Sequence, residues 1–415
     1  MEQADFKVYN YRWIVLLAFM FIVAINQLMW ITFAPVTSAA ADYFGVSDLS
    51  IGLLSMIFMI VFIIMSIPAS WVIDTYGLRV AVGIGVVLTG IFGLLRGIAA
   101  PNYTWVLIAQ IGIAVGQPFI LNAVTTVAAR WFPILERATA AGLGSLAMYL
   151  GIVTALMLTP ILTLQFQIKG MLLAYGVLAV IGIVVFFALV RDRPPTPPCP
   201  PEQDERSLVF DGFKDSLRIK DFIFLMVIFF VGLGVFNAVT TWIEDIVRPR
   251  GFSIIQAGYI GGLMIVGGII GAVVIPLLSD HQRKRAPYLV MAVLGAILGL
   301  IGITFAANYW LLLVSAFIFG FFLLSAGPVG FQYGAEITHP APEGTSNGLL
   351  LLMGQISGVI FILALDSFKS PVTGSMTLPL VALMGLMLIG LVLSTRLKEA
   401  PALVAVEVES GGTDV

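Results

Sequence analysis

Charge is what this chain has least of. Only 11% of its 415 residues are Asp, Glu, Lys or Arg, against roughly a quarter in an ordinary soluble domain, and 60% are hydrophobic. A water-soluble fold has no interior large enough for that much apolar surface. A net charge of −2 gives no field that would draw the chain to nucleic acid. One cysteine, Cys199, excludes an internal disulfide and a thiolate metal cluster. The two histidines, His281 and His339, fall between apolar stretches, and no cofactor or metal is implied.

What is abundant is the long apolar run. Stretches of about 20 apolar residues, each sufficient to cross the ~30 Å hydrocarbon core of a bilayer, recur twelve times. They lie near 13–36, 49–72, 79–99, 103–130, 138–163, 170–190, 221–246, 255–278, 286–307, 309–335, 345–368 and 374–395. The first is too long for a signal-peptide core and lacks a small-residue cleavage site, so it is expected to be retained. With both termini on the cytoplasmic side, sixteen of the 21 basic residues fall in inner loops and tails. Arg96, Lys169, Arg248, Arg250 and Lys369 are left outside, and the positive-inside rule favours this orientation in a plasma or inner membrane.

A charged, proline-rich stretch beginning RDRPPTPPCPPEQDER at Arg191 neither continues a helix nor enters a membrane. It divides the chain into an N-terminal six-helix bundle (1–191), a cytoplasmic linker (192–220), a C-terminal six-helix bundle (221–396) and a cytoplasmic tail (397–415). Residues 210–217 alternate apolar and charged side chains and are expected to lie on the membrane surface. The halves repeat. Asp74 and Asp280, each after a proline-bearing span, are 206 residues apart, and Glu136 and Glu343, after the fourth and tenth spans, are 207 apart. Parallel repetition of six-helix halves is the layout of major facilitator superfamily transporters, an all-α membrane fold. WVIDTYGLR (71–79) resembles that superfamily's loop signature at Asp74, Gly77 and Arg79, with Ser70 in place of the leading glycine.

A closer resemblance is to the feline leukaemia virus subgroup C receptor family, haem and choline transporters of that superfamily. It is carried by LSMIFMIVFIIMSIPASWVIDTYGLR (54–79), GQPFILNAVTTVAARWFP (116–133) and GFQYGAEITHPAPEGTSNGLL (330–350). The resemblance implies a central substrate site formed by Trp30, Gln117 and Gln355. Asn237 stands where choline-recognising members carry a tyrosine, and an amide lacks the ring quadrupole that attracts a quaternary ammonium.

From the sequence alone, Gln117, Gln355 and Asn237 fall near mid-span, where an amide lines a wet cavity or bonds across helices. Asn26, Gln27, Asn122, Thr240, Trp242, Gln332 and Tyr333 are lesser cavity candidates. Asp74, Gly77, Arg79, Arg130, Glu136, Arg137, Asp280, Arg283, Glu336 and Glu343 are expected to gate the inner face, Asp74 by pairing with Arg79 or Arg130. Glycine pairs four apart, Gly93 with Gly97, Gly112 with Gly116, Gly267 with Gly271 and Gly354 with Gly358, are expected to be helix-packing seams.

No acid or histidine sits at mid-depth of any span, so the usual parts of a proton relay are missing. The expectation is an alternating-access uniporter, not an enzyme, acting as a monomer in the bilayer on a choline-like amine, another organic cation or a neutral polar solute. Haem or amphiphile export, proton-coupled transport, a non-transporting receptor and a lipid scramblase remain as alternatives.

Overall fold

The computed structural model describes residues 7–196, 198, 216–339 and 343–399, without the side chains of 134, 135 and 343–345. Among these residues it is helical with no strand. The first unit, Met1–Arg206, holds α1 (Tyr11–Phe44), α2 (Asp48–Tyr76), α3 (Leu78–Ala99) and α4 (Tyr103–Trp131), then α5 (134–166) and α6 (168–189). The second, Ser207–Val415, holds α7 (Lys220–Thr241), α8 (Ile254–Gln282), α9 (Ala286–Phe305), α10 (Tyr309–Thr338), α11 (Glu343–Ser367) and α12 (Thr377–Ser394).

α5 and α6 run through Ile134–Leu189 as 56 residues with almost no loop. At 1.5 Å per residue that is ~84 Å, far beyond one ~30 Å crossing. Gln167, at φ 57°, turns the chain sharply and makes two spans of it. The sequence suggests a gap from 164 to 169; one left-handed residue suffices.

Helix starts follow local chemistry. Ser47, Asn102, Ser253 and Asn308 each accept an N–H from the first turn of α2, α4, α8 and α10, and Gln256 closes a full capping box at Ser253. α1 is interrupted. Its helix Tyr11–Ile31 gives way to a 3-10 turn, Ala34–Val36, and a short helix, Thr37–Phe44, because Pro35 has no N–H for the ladder.

The first unit packs Val15, Phe19, Ile22 and Val23 of α1 against Val82 and Val86 of α3, Ile120 of α4 and Phe186 of α6. Large apolar side chains also face outward, Ile64 and Val184 at 65% exposure and Leu277 at 63%, which only an apolar surround tolerates. Glycine brings the helices together. In α8, a Cβ on Gly267 or Gly271 would collide with the backbone carbonyls of Phe317 and Phe321 in α10, and one on Gly116 would lie 2.7 Å from the Gly85 carbonyl.

The expected linker lies mostly outside the described residues, as do Cys199 and residues 210–215.

Candidate functional site

Two glutamines stand at the centres of their helices. Gln117 is fourteen residues from either end of Tyr103–Trp131 and Gln355 twelve from either end of Glu343–Ser367, so they lie ~21 Å and ~18 Å from the helix ends. Gln117 is 6% exposed and Gln355 half-buried. Neither side chain bonds to a described residue, and neither has a polar atom sealed from contact. An amide at this depth without a protein partner costs several kcal/mol unless water or a solute meets it.

The other mid-depth candidates are more committed to the protein. Trp30, 7% exposed, donates its indole N–H to the Ser55 carbonyl of α2 at 3.1 Å. Asn237 donates to the Gly354 carbonyl at 3.2 Å, which brings α7 onto α11 immediately before Gln355. Asn26 donates to Thr89 Oγ1 and accepts from Gln27 in a buried cluster. Asn122 reaches Ser66 and Ser70 of α2.

Trp242 is fully buried on the Ile362 carbonyl at 3.0 Å, and Thr240 is buried with its hydroxyl unpartnered. Gln332 and Tyr333 do not join Gln355. Gln332 donates to Glu336 and Tyr333 to the Lys398 carbonyl, both toward the charged end of α10. Among the described residues no three of His, Cys, Asp and Glu converge as metal ligands.

Residues expected to gate the inner face pair within their own units, and one expected pairing needs correction. Asp74 is exposed and pairs with neither Arg79 nor Arg130. Asp192, just past α6, takes that role: one carboxylate oxygen accepts the backbone N–H of Arg79 at 3.1 Å, and the other pairs with Arg130 Nη1 at 2.7 Å. Gly77, at φ 87°, makes the turn beneath it, and a Cβ there would lie 2.7 Å from Asp192. The carboxylate of Asp192 lies nearer in space because it caps the start of α3, where free N–H groups point outward. Glu136 pairs with Arg12 at 3.1 Å, and Arg137 donates to the Phe132 carbonyl.

In the second unit, Arg285 binds Asp280 and Glu336 together. Burial works against its charge, but the hydrogen bonds and charges of those carboxylates outweigh burial and raise its pKa above the ordinary arginine value. Glu399 accepts the backbone N–H groups of Arg285 and Ala286 at 2.9 and 3.1 Å. Arg283 is the α8 C-cap, at φ 53°, and nothing is described of the Glu343 side chain.

Sequence reasoning gave no role to Asp192, Glu399, Arg96, Glu244 or Asp245. Glu244 and Asp245, just past α7, are 2% and 0% exposed. Asp245 pairs with Arg248 at 2.6 Å and Lys369 at 2.9 Å. The signal for these was charge beside an apolar run, which topology alone already explained.

The family model of the Major Facilitator Superfamily matches residues 19–362. Solute carrier family 49 member A3 of Xenopus tropicalis is 31% identical over 89% of this chain and 80% of its own length. The choline/ethanolamine transporter FLVCR1 of Mus musculus is 29% identical over 93% of this chain and 75% of its own. Among solved structures, a bacterial homologue of the human lysosomal transporter Spinster, inward-facing, superposes with a TM-score of 0.74 at 18% identity, covering 94% of this chain and 98% of that one. A D-xylose-proton symporter superposes at 0.76 with 14% identity, covering 94% and 99%. These two structures support the fold alone.

Proposed function

Because the chain belongs to the major facilitator superfamily, as a multi-pass membrane transporter of the FLVCR and solute carrier 49 type, we propose that it is an uncoupled, alternating-access carrier of a small polar organic solute. The solute is a choline-like amine, another organic cation or a neutral polar molecule. The observation that carries this reading is the pair of mid-helix amides, Gln117 and Gln355, which bond no described residue while Asn26, Asn122 and Asn237 all do.

In this reading Gln117 and Gln355 each offer the solute hydrogen bonds, Trp30 offers its ring, and Asn237, tied to Gly354, steadies α11 just before Gln355. An amide accepts from an ammonium or hydroxyl and donates to a carbonyl, which suits polar solutes of low charge. The named activity of FLVCR1, choline and ethanolamine transport, falls in this class. Asn237 in the place of a family tyrosine favours ethanolamine-like or neutral solutes over a quaternary ammonium, because the aromatic enclosure is incomplete.

No acid or histidine lies at mid-depth of the spans. For a cation the membrane potential alone provides ~2.3 kcal/mol per 100 mV, about a fiftyfold gradient, and coupling to protons is unnecessary. The proposed location is a plasma or inner membrane, with cytoplasmic termini and a monomer as the working unit.

The test is uptake into proteoliposomes of labelled choline, ethanolamine, haem and a small neutral solute, with potential and pH gradient imposed separately. Potential-driven uptake of an amine at zero pH gradient is expected. Acceleration by a pH gradient at zero potential contradicts the uncoupled mechanism, and haem uptake alone contradicts the solute class.

A further inference from the structure

The interruption of α1 leaves a problem that one buried cation solves. The helix Tyr11–Ile31 ends inside the protein, and carbonyls in its last turn lose their ladder partners. The Met29 carbonyl is taken by Nη1 of Arg96 at 3.2 Å and Nε2 of Gln110 at 3.3 Å. The same Nη1 donates to Gln110 Oε1 at 2.8 Å, and Gln110 reaches on to the Leu54 carbonyl at 3.0 Å. Arg96 Nη2 reaches Thr32 Oγ1 at 3.4 Å, and its guanidinium lies 5.5 Å from the Phe33 ring centre. Trp30, the residue after Met29, bonds the carbonyl of Ser55, the residue after Leu54. α1, α2, α3 and α4 therefore meet around Trp30.

Arg96 is 0% exposed and has no carboxylate partner among the described residues. A bare guanidinium in so dry a place costs several kcal/mol. Here the cost is offset by neutral acceptors, by the ring face and by the negative end of the Tyr11–Ile31 helix dipole. One donor, Nε, is still left without a partner. A five-donor group with a stranded N–H is a poor choice for stability alone, since an apolar side chain would fill the space without that penalty. What an apolar side chain cannot do is hold the broken end of α1 at a fixed place.

We propose that Arg96, together with Gln110, is a positioning residue that fixes the break in α1 and thereby holds the Trp30 ring in place for the solute. This rests on the reading of Trp30 as a solute contact given above. Neither residue touches the solute; both act through the backbone of Met29.

The experiment compares the full-length chain with Arg96→Met, Arg96→Lys, Gln110→Leu and Trp30→Ala, by amide hydrogen exchange in lipid nanodiscs and by uptake of labelled choline or ethanolamine into proteoliposomes. In Arg96→Met, exchange over residues 28–37 is expected to rise about tenfold, the equivalent of one charge-assisted hydrogen bond, with α5 and α6 unchanged. Its KM is expected to rise by a similar factor, with maximal rate within about twofold of the parent. Arg96→Lys retains a donor to Met29 and is expected to recover most of both.

Gln110→Leu moves both in the same direction by less, and it decides the matter if Arg96→Met does not fold. Unchanged exchange over 28–37 in Gln110→Leu and in any foldable Arg96→Met overturns the proposal. If exchange rises while KM stays fixed, the positioning role is overturned where Trp30→Ala raises KM. Where Trp30→Ala leaves KM unchanged as well, it is the solute-contact reading of Trp30 that fails.

Discussion

Asp192 and Glu399 hold the same station in their two units. Each is the acid that follows the last helix of its bundle, 207 residues apart, and each caps the third helix of that bundle through backbone N–H groups, at Arg79 for one and at Arg285 and Ala286 for the other. The residue before each is held too: Trp131 donates to the Arg191 carbonyl and Tyr333 to the Lys398 carbonyl. The end of every six-helix set is thus latched to the start of its own third helix.

That latch predicts a ranking at the charged turn. Asp192→Ala removes a cap and a half-exposed ion pair, a loss of about 1–2 kcal/mol, whereas Asp74→Ala, at an exposed unpaired position, is expected to leave thermal stability within about 0.5 kcal/mol of the parent. Melting of the purified protein in one detergent, followed by light scattering or intrinsic fluorescence, separates the two. An equal loss at both positions would mean that Asp74 has a structural partner after all.

Gly77→Ala is expected to be worse than either. The backbone there has φ 87°, a region that costs a side chain about 1 kcal/mol or more, and the new Cβ would press on the Asp192 carboxylate and Arg130. The expected result is a clear fall in melting temperature, with no relief in Gly77→Asn, because φ 87° with ψ 173° lies outside the left-handed helical region that asparagine tolerates and is essentially open to glycine alone.

Helix contact in the second unit depends on backbone approach. Gly271→Val would drive a branched side chain into the Phe321 carbonyl, and overpacking of this kind costs about 1–3 kcal/mol or more. The expected readout is loss of monodisperse protein on size-exclusion chromatography. Gly385→Val on α12, where nothing lies within 4 Å, is the matched control expected to behave as the parent.

The sequence carries the architecture because bilayer thickness sets span length, and a period near 206 residues is visible in Asp74 and Asp280. It carries less of the contacts. The α5–α6 turn is a single residue, Gln167, with neither glycine nor proline to mark it, so no local signal fixes its place. The partners of Trp30, Asn237 and Trp242 are all backbone carbonyls, which no side-chain pattern announces.

Asp74 matches a known loop pattern, while Asp192, 113 residues beyond Arg79, comes close to that turn only through the fold. Arg96 was legible as a charge in an apolar run. Its purpose was not, since that lies in the carbonyls α1 exposes where it breaks.

Asn237 separates packing from binding. Asn237→Ala loses a bond to Gly354 that holds α7 to α11, and a stability loss of about 0.5–2 kcal/mol is expected. Asn237→Tyr tests solute choice instead: an added ring is expected to raise the preference for choline over ethanolamine, measured as the ratio of their uptake KM values.

The most direct measurement is paired uptake and melting for Gln117→Ala and Gln355→Ala. Since neither amide bonds a described residue, both variants are expected to melt within about 0.5 kcal/mol of the parent while the KM for the carried solute rises about tenfold, the value of one lost hydrogen bond. Unchanged KM in both variants, or a loss of stability that accounts for the whole fall in uptake, would contradict the assignment of these amides to the solute.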